Sequence, residues 1–281
     1  MSGLTIEPIL DSPGPRAGVV VDGLDASGPS RVTLWRSSPG GKRRPVRGWR
    51  NRLVYGADYV EDAEVPLGRP VTYELQVISG AVIPDVVAAV VSVPSEVGYI
   101  QDPLLPLGMI PVTNAGDLDA AASLTNAAFA ALQYEVEQSV TSILGSDERV
   151  ALTGQRLAMS GVDFSVLTEA AEQSTALRNL LRSTALVLVR PLPSWGPLPD
   201  VFYTVPAVAE MPSYDAYGAT LTTWQLTGDQ VAPPSINIIV PIWTYADVEA
   251  LWATYADQQA AAVARSATYL DDLRDPSLGG A

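Results

Sequence analysis

The sequence has no histidine and no cysteine in 281 residues, and each absence closes off chemistry. Without imidazole, no side chain titrates near neutrality in its ordinary state. Without thiolate there is neither a soft metal ligand nor a strong sulfur nucleophile. Zinc and iron sites, Ser-His-Asp or Cys-His catalysis and thiol redox chemistry are set aside on this ground. Carboxylates and hydroxyls remain, and the expected complement of cofactors and resident metals is none; the acidic loops show no EF-hand spacing for calcium. No disulfide framework exists either, so folding does not call for an oxidising compartment. Also missing is any run of about 18 uncharged apolar residues. Met1-Ser2-Gly3-Leu4-Thr5-Ile6-Glu7 carries neither a basic nor an apolar signal region, so the expectation is a chain that neither spans a membrane nor is exported by a signal peptide.

What is present suffices for a core. Hydrophobic residues make up 47% and charged ones 17%, a globular composition, and the length suggests two domains. The net charge of -14 is uneven: residues 1–95 hold ten basic and ten acidic side chains, and residues 96–281 hold seven and twenty-one. Within the neutral part, Arg36, Lys42, Arg43, Arg44, Arg47, Arg50 and Arg52 occupy a stretch of seventeen residues with no acid. A nucleic-acid site would need a broader basic face, and the acidic remainder would repel phosphates. The run is therefore expected to be an assembly contact for an acidic protein surface, such as another copy of the same chain, with a solvated loop as the alternative.

Alternation and punctuation predict short strands at 18–22, 31–36, 51–55, 59–61, 71–78 and 86–93, an antiparallel sandwich in which Trp35 and Tyr73 face each other from opposing inner faces. Pro94, Pro103, Pro106 and Pro111 make 96–112 an extended connector and the domain boundary. The alanine-rich segment 116–132 permits helix. Beyond it, strands near 134–143, 150–153, 158–167, 185–189, 201–210 and 219–226 and an amphipathic helix at 169–183 predict a second β-sandwich or barrel with one packed helix across 113–242.

The C-terminal part, 243–275, repeats a pattern: Thr244-Tyr245-Ala246-Asp247, Thr254-Tyr255-Ala256-Asp257 and Thr268-Tyr269-Leu270-Asp271. Each has the Thr-x-x-acid form of a capping box. A helix starting at Thr244 would align Tyr245, Val248, Trp252 and Tyr255 in a docking stripe.

The run Asp62 to Tyr73, the stretch Gln101-Asp102-Pro103-Leu104-Leu105-Pro106, the segments Val189-Arg190-Pro191 and Trp195-Gly196-Pro197, and the closing repeats occur in one order. Together they resemble the minor tail proteins of siphophages infecting actinobacteria. The resemblance implies a mainly β chain with a fibronectin-type-III-like or immunoglobulin-like first domain at 1–95. It implies a structural subunit of the tail tip, made in the host cytoplasm and carried in the virion, partnered by other tail proteins and copies of itself. It implies no enzyme activity, no nucleic-acid partner and no membrane insertion. Two rivals rest on the residues alone. Trp49, Trp195 and Trp224 near loops or strand ends would suit a carbohydrate-binding adhesin touching the host surface. The carboxylates Asp58, Glu61, Asp62 and Glu64, or Asp271 and Asp272, would suit glycoside hydrolysis.

Overall fold

The computed structural model describes residues 3–11, 13–39, 41–80, 87–114, 122–142, 144, 147, 149–214, 220–236 and 245–266. The chain is mainly β and divides into two compact units. One takes Met1–Ser95, Leu104–Leu107 and Pro234–Ala281; the other takes Glu96–Pro103 and Gly108–Pro233. Among the described residues no helix is long and apolar enough to cross a membrane.

The first unit holds β1 (Gly3–Ile9), β2 (Arg16–Asp22), β3 (Ser30–Ser37), β4 (Arg44–Pro45), β5 (Arg52–Val54), β6 (Asp58–Asp62), β7 (Pro70–Ser79) and β8 (Val87–Ser92). One sheet runs β1-β2-β6, and the other runs β4-β3-β7-β8 with β5 also on β3. Alternation explains the interior. Val32, Leu34 and Arg36 of β3, like Val71, Tyr73 and Leu75 of β7, are buried at every second position. The same period turns Trp35 outward. Trp35 is half-buried on the outer face, under the Arg43 guanidinium at 4.3 Å, and donates to Gln76 Oε1 at 2.8 Å. The expected Trp35–Tyr73 inner pair is corrected on this point, because the two lie on adjacent strands of one sheet with opposite facing. The core tryptophan is Trp49, at 0% exposure. Its loop folds under β3 through Val46 N to Leu34 O at 2.8 Å and Leu34 N to Trp49 O at 3.0 Å.

The second unit contains β9 (Gly98–Asp102), β10 (Leu105–Thr113, from Gly108 onward), β11 (Ala122–Leu124), β12 (Gln133–Ser142), β13 (Arg149–Ser160), β14 (Val162–Asp163), β15 (Val166–Thr168), α1 (Ala171–Ser183), β16 (Val187–Arg190), β17 (Phe202–Tyr214) and β18 (Thr220–Val231). Seven strands close a barrel in the order β18-β15-β11-β10-β9-β16-β17, with β17 returning to β18. An odd number of strands cannot alternate in direction all the way round, so one neighbouring pair must be parallel. That pair is β10 and β11, joined at Val112 and Ala122. Phe164, Phe202, Trp224, Val112 and Leu226 fill the interior, and Leu177 and Leu180 of α1 pack against it. Gln173 Oε1 accepts the amides of Glu169 and Ala170 and so starts α1. Thr168 Oγ1 links the helix to the barrel, meeting Ser174 Oγ at 2.7 Å and the Trp224 indole at 3.0 Å.

Two expectations change here. Residues 96–112, expected as an extended stretch without regular elements, form β9 and most of β10, with Ile100, Gln101, Ile110 and Val112 buried. Of 116–132, residues 122–124 are strand and 125–130 are turns; 115–121 lie outside the described residues. The C-terminal segment of the first unit forms two helices, α2 (Tyr245–Leu251) and α3 (Tyr255–Ala264), the second beginning at a Thr-x-x-acid repeat. Thr254 interrupts them because its Oγ1 accepts the Asp257 amide at 3.2 Å as an N-cap. Thr244 and the third repeat lie outside the described residues.

Candidate functional site

The cations of 36–52 find their counter-charges from other elements. Arg36 Nη1 lies 2.6 Å from both carboxylate oxygens of Asp62 on β6, with both side chains buried. Asp62 also accepts the Tyr73 hydroxyl at 2.8 Å and the Glu64 amide at 3.0 Å. Glu64 is shared, at 2.5 Å from Arg47 and 3.6 Å from Arg36. Arg43 pairs with Glu74 at 2.6 Å and Arg52 with Asp58 at 2.7 Å. The run is thus not without counter-charge; the acids that answer it are distant in sequence and adjacent across the sheets. Lys42 and Arg50 are exposed. Arg44 stands opposite Arg36 in the ladder, with its Nη1 buried and unpartnered among the described residues. Arg47 also donates to Ser235 O at 2.8 Å, and Gly48 N to Ile236 O at 2.8 Å, which ties the returning chain to this loop.

The four carboxylates weighed for catalysis are therefore each held by an arginine, Glu61 by Arg16. Tyr59 donates to Glu61 at 3.1 Å. Burial above all, then the charge and hydrogen bond of Glu61, push the Tyr59 phenol above the ordinary tyrosine range. Asp271 and Asp272 lie outside the described residues. Among the described residues no group of three or more acidic side chains could hold a metal ion.

The tryptophans weighed for sugar binding are mostly interior. Trp49 and Trp224 are buried in the two cores. Trp195 is partly covered, stacked on Phe129 at 5.8 Å between ring centres and seated on Gly98, where a Cβ would collide with it. Phe129 holds this place with φ 57, a left-handed conformation that costs a non-glycine residue about 1–2 kcal/mol. Of the expected docking stripe, Val248 and Trp252 are half-buried, Tyr255 is 78% exposed at the start of α3, and the Tyr245 side chain lies outside the described residues. The break before α3 separates Tyr255 from the others.

A different surface, not singled out by the sequence, stands open among the described residues of the second unit. β12 and β13 pair only with each other, a two-stranded sheet of ten and twelve residues. At about 3.4 Å per residue the arm is roughly 34 Å long. In its outer half Gln138–Ser142 pairs with Arg149–Thr153 without irregularity. There Val140 is 50% exposed on one face, Val150 and Leu152 are 49% and 73% exposed on the other, and Leu144 at the tip is fully exposed. The apolar residues were visible in the sequence. What was hidden is that neither face is covered by the rest of the described chain.

No protein-family model, curated protein or solved structure matches the chain.

Proposed function

We propose that the chain is a structural subunit of a phage tail tip, a minor tail protein that acts by protein–protein assembly. The observation that carries this reading is the β12–β13 arm. An isolated two-stranded hairpin is marginal in water, and one with valine and leucine exposed on both faces is suited to being completed by another chain. The sheet order of the first unit, β1-β2-β6 and β4-β3-β7-β8, supports its fibronectin-type-III-like character, and the sequence resemblance supports reading it as a tail-protein module. Arginine pairing of Asp58, Glu61, Asp62 and Glu64 supports a non-catalytic role, and burial of Trp49 and Trp224 weighs against the adhesin. The basic assembly contact narrows to Lys42, Arg44 and Arg50.

Immunogold labelling of phage particles with antibody raised against the whole chain tests this. Label at the tail tip is the expected result. Particles without label, with the chain confined to the lysate, would remove the reading.

A further inference from the structure

The two faces of the β12–β13 arm carry opposite charge. Residues paired across an antiparallel ladder point to the same face, as do alternate residues along a strand. The register pairs Val136 with Arg156, Gln138 with Thr153, Val140 with Ala151 and Ser142 with Arg149. One face therefore carries Arg149 and Arg156 together with Val136, Val140 and Ala151. The intervening positions form the other face, where Ser139 pairs with Leu152 and Thr141 with Val150. That face carries Glu135 and Glu137 together with Val150 and Leu152. Over 135–142 and 149–156 neither face holds a charge of the other sign. All four charged side chains are exposed, and none has an ion-pair partner among the described residues. Arg156 bonds only the Tyr134 carbonyl, at 3.0 Å.

The two faces also match in height along the arm. The Val140–Ala151 rung lies between the rungs Ser139–Leu152 and Thr141–Val150. Glu135 and Glu137 likewise flank the rung of Val136 and Arg156. The acidic face of one arm laid on the basic face of another pointing the same way sets Val150 and Leu152 over Val140 and Ala151. The same placement sets Glu135 and Glu137 over Arg156. Stacked sheets lie about 10 Å apart, a gap that glutamate and arginine side chains close from its two sides. The bulges that disturb the register fall between Tyr134 and Gln138, leaving the outer half regular where the apolar residues would meet.

We propose that copies of this chain associate by stacking their arms face to face, the Glu135–Glu137 face of one on the Arg149–Arg156 face of the next. A surface whose two sides complement each other in charge, and whose apolar residues match in height, is completed by its own copy. Pairing like faces about a two-fold axis would oppose Arg156 to arginine or Glu135 and Glu137 to glutamate, which like-charge repulsion disfavours. The contact is therefore heterologous and builds rings or stacks. Copies of charge -14 repel at a distance, but that field fades over about 8 Å at physiological ionic strength, so the local faces decide the contact. The inference deepens the tail-subunit reading by naming a partner, and its test concerns self-association alone.

Two full-length charge-reversed variants test it, Glu135→Lys with Glu137→Lys, and Arg149→Glu with Arg156→Glu. Each gives an arm charged alike on both faces. Sedimentation equilibrium should show association of the wild type, its loss in each variant alone, and its return when the two are mixed. Ser139→Cys and Ala151→Cys place single thiols on opposite faces at neighbouring heights, in a chain with no other cysteine. A short bis-maleimide should join these two variants to each other in a mixture and join neither to itself. A monomeric wild type at every concentration, charge variants that associate alone, a mixture that stays monomeric, or cross-links only between identical variants would each overturn the proposal. A monomeric wild type that still incorporates into tails would overturn it while leaving the tail reading standing.

Discussion

The Arg36 guanidinium faces the Asp62 carboxylate across the interior of the first unit, with Nη1 at 2.6 Å from each oxygen. The pair joins β3 of one sheet to β6 of the other, and Tyr73 closes the group from β7. Removing one partner from a buried pair leaves a charge with no compensation, at a cost of about 3–5 kcal/mol. Arg36→Met should destabilise the chain by that order in urea unfolding. Arg36→Met with Asp62→Leu should recover most of the loss, since a packed apolar pair often replaces a buried ion pair without penalty. Equal losses in the single and double variants would show that the pair does not act as a unit.

Trp35 and Trp49 should separate cleanly. Trp49→Ala opens a cavity in the core and should cost about 3–5 kcal/mol. Trp35→Ala removes a half-buried ring on the outer face under Arg43, for which a cation–π contact at the surface is worth about 0.5–1 kcal/mol. Denaturant midpoints of the two variants measure the difference, and a larger loss at Trp35 would contradict the assignment of faces.

Alkaline pH should loosen the first unit through Tyr59. Its phenol titrates higher folded than unfolded, so the stabilising contribution is complete below the unfolded value of about 10 and declines as pH rises above it. Tyr59→Phe should flatten the decline in stability above that value while costing about 0.5–1.5 kcal/mol at neutral pH for the lost bond to Glu61. A decline of the same steepness in the variant would assign it to other groups.

Thr254→Ala should fray α3, with a loss of about 1 kcal/mol. Faster amide exchange at Asp257 and Gln258 reports it, and unchanged exchange would mean that the Thr254 Oγ1 bond does not hold the helix start.

Pro206→Val with Pro212→Val restores two amide donors on β17 beyond Thr204, where the strand pairs only with β18 among the described residues and proline guards the other edge. Light scattering should show aggregation of the folded chain that the wild type does not undergo. A variant as soluble as the wild type would show that the prolines are not edge protection.

Sequence pattern carried the strands wherever burial alternates on one face, as in β3 and β7, and the helix wherever Leu177 and Leu180 recur at helical spacing. It misread Trp35 because bulk was given precedence over the period that already placed Val32 and Leu34 inside. Residues 96–112 looked like a connector because proline was read as a breaker. Yet Pro103 occupies the turn before β10, and β10 runs through Pro106 and Pro111. The counter-ions of the basic run were invisible for a different reason: Asp62 lies 26 residues from Arg36, and only the facing of two sheets joins them. The arm was legible as strands but not as an exposed element, since alternation cannot show that both faces lack cover.

The most direct measurement is amide hydrogen exchange across 138–142 and 149–153, first in the isolated chain below its association concentration and then in assembled tails. The account predicts rapid exchange at amides of β12 and β13 in the isolated chain and strong protection after assembly, with the barrel strands slow in both states. Equally rapid exchange of the arm in both states would contradict it.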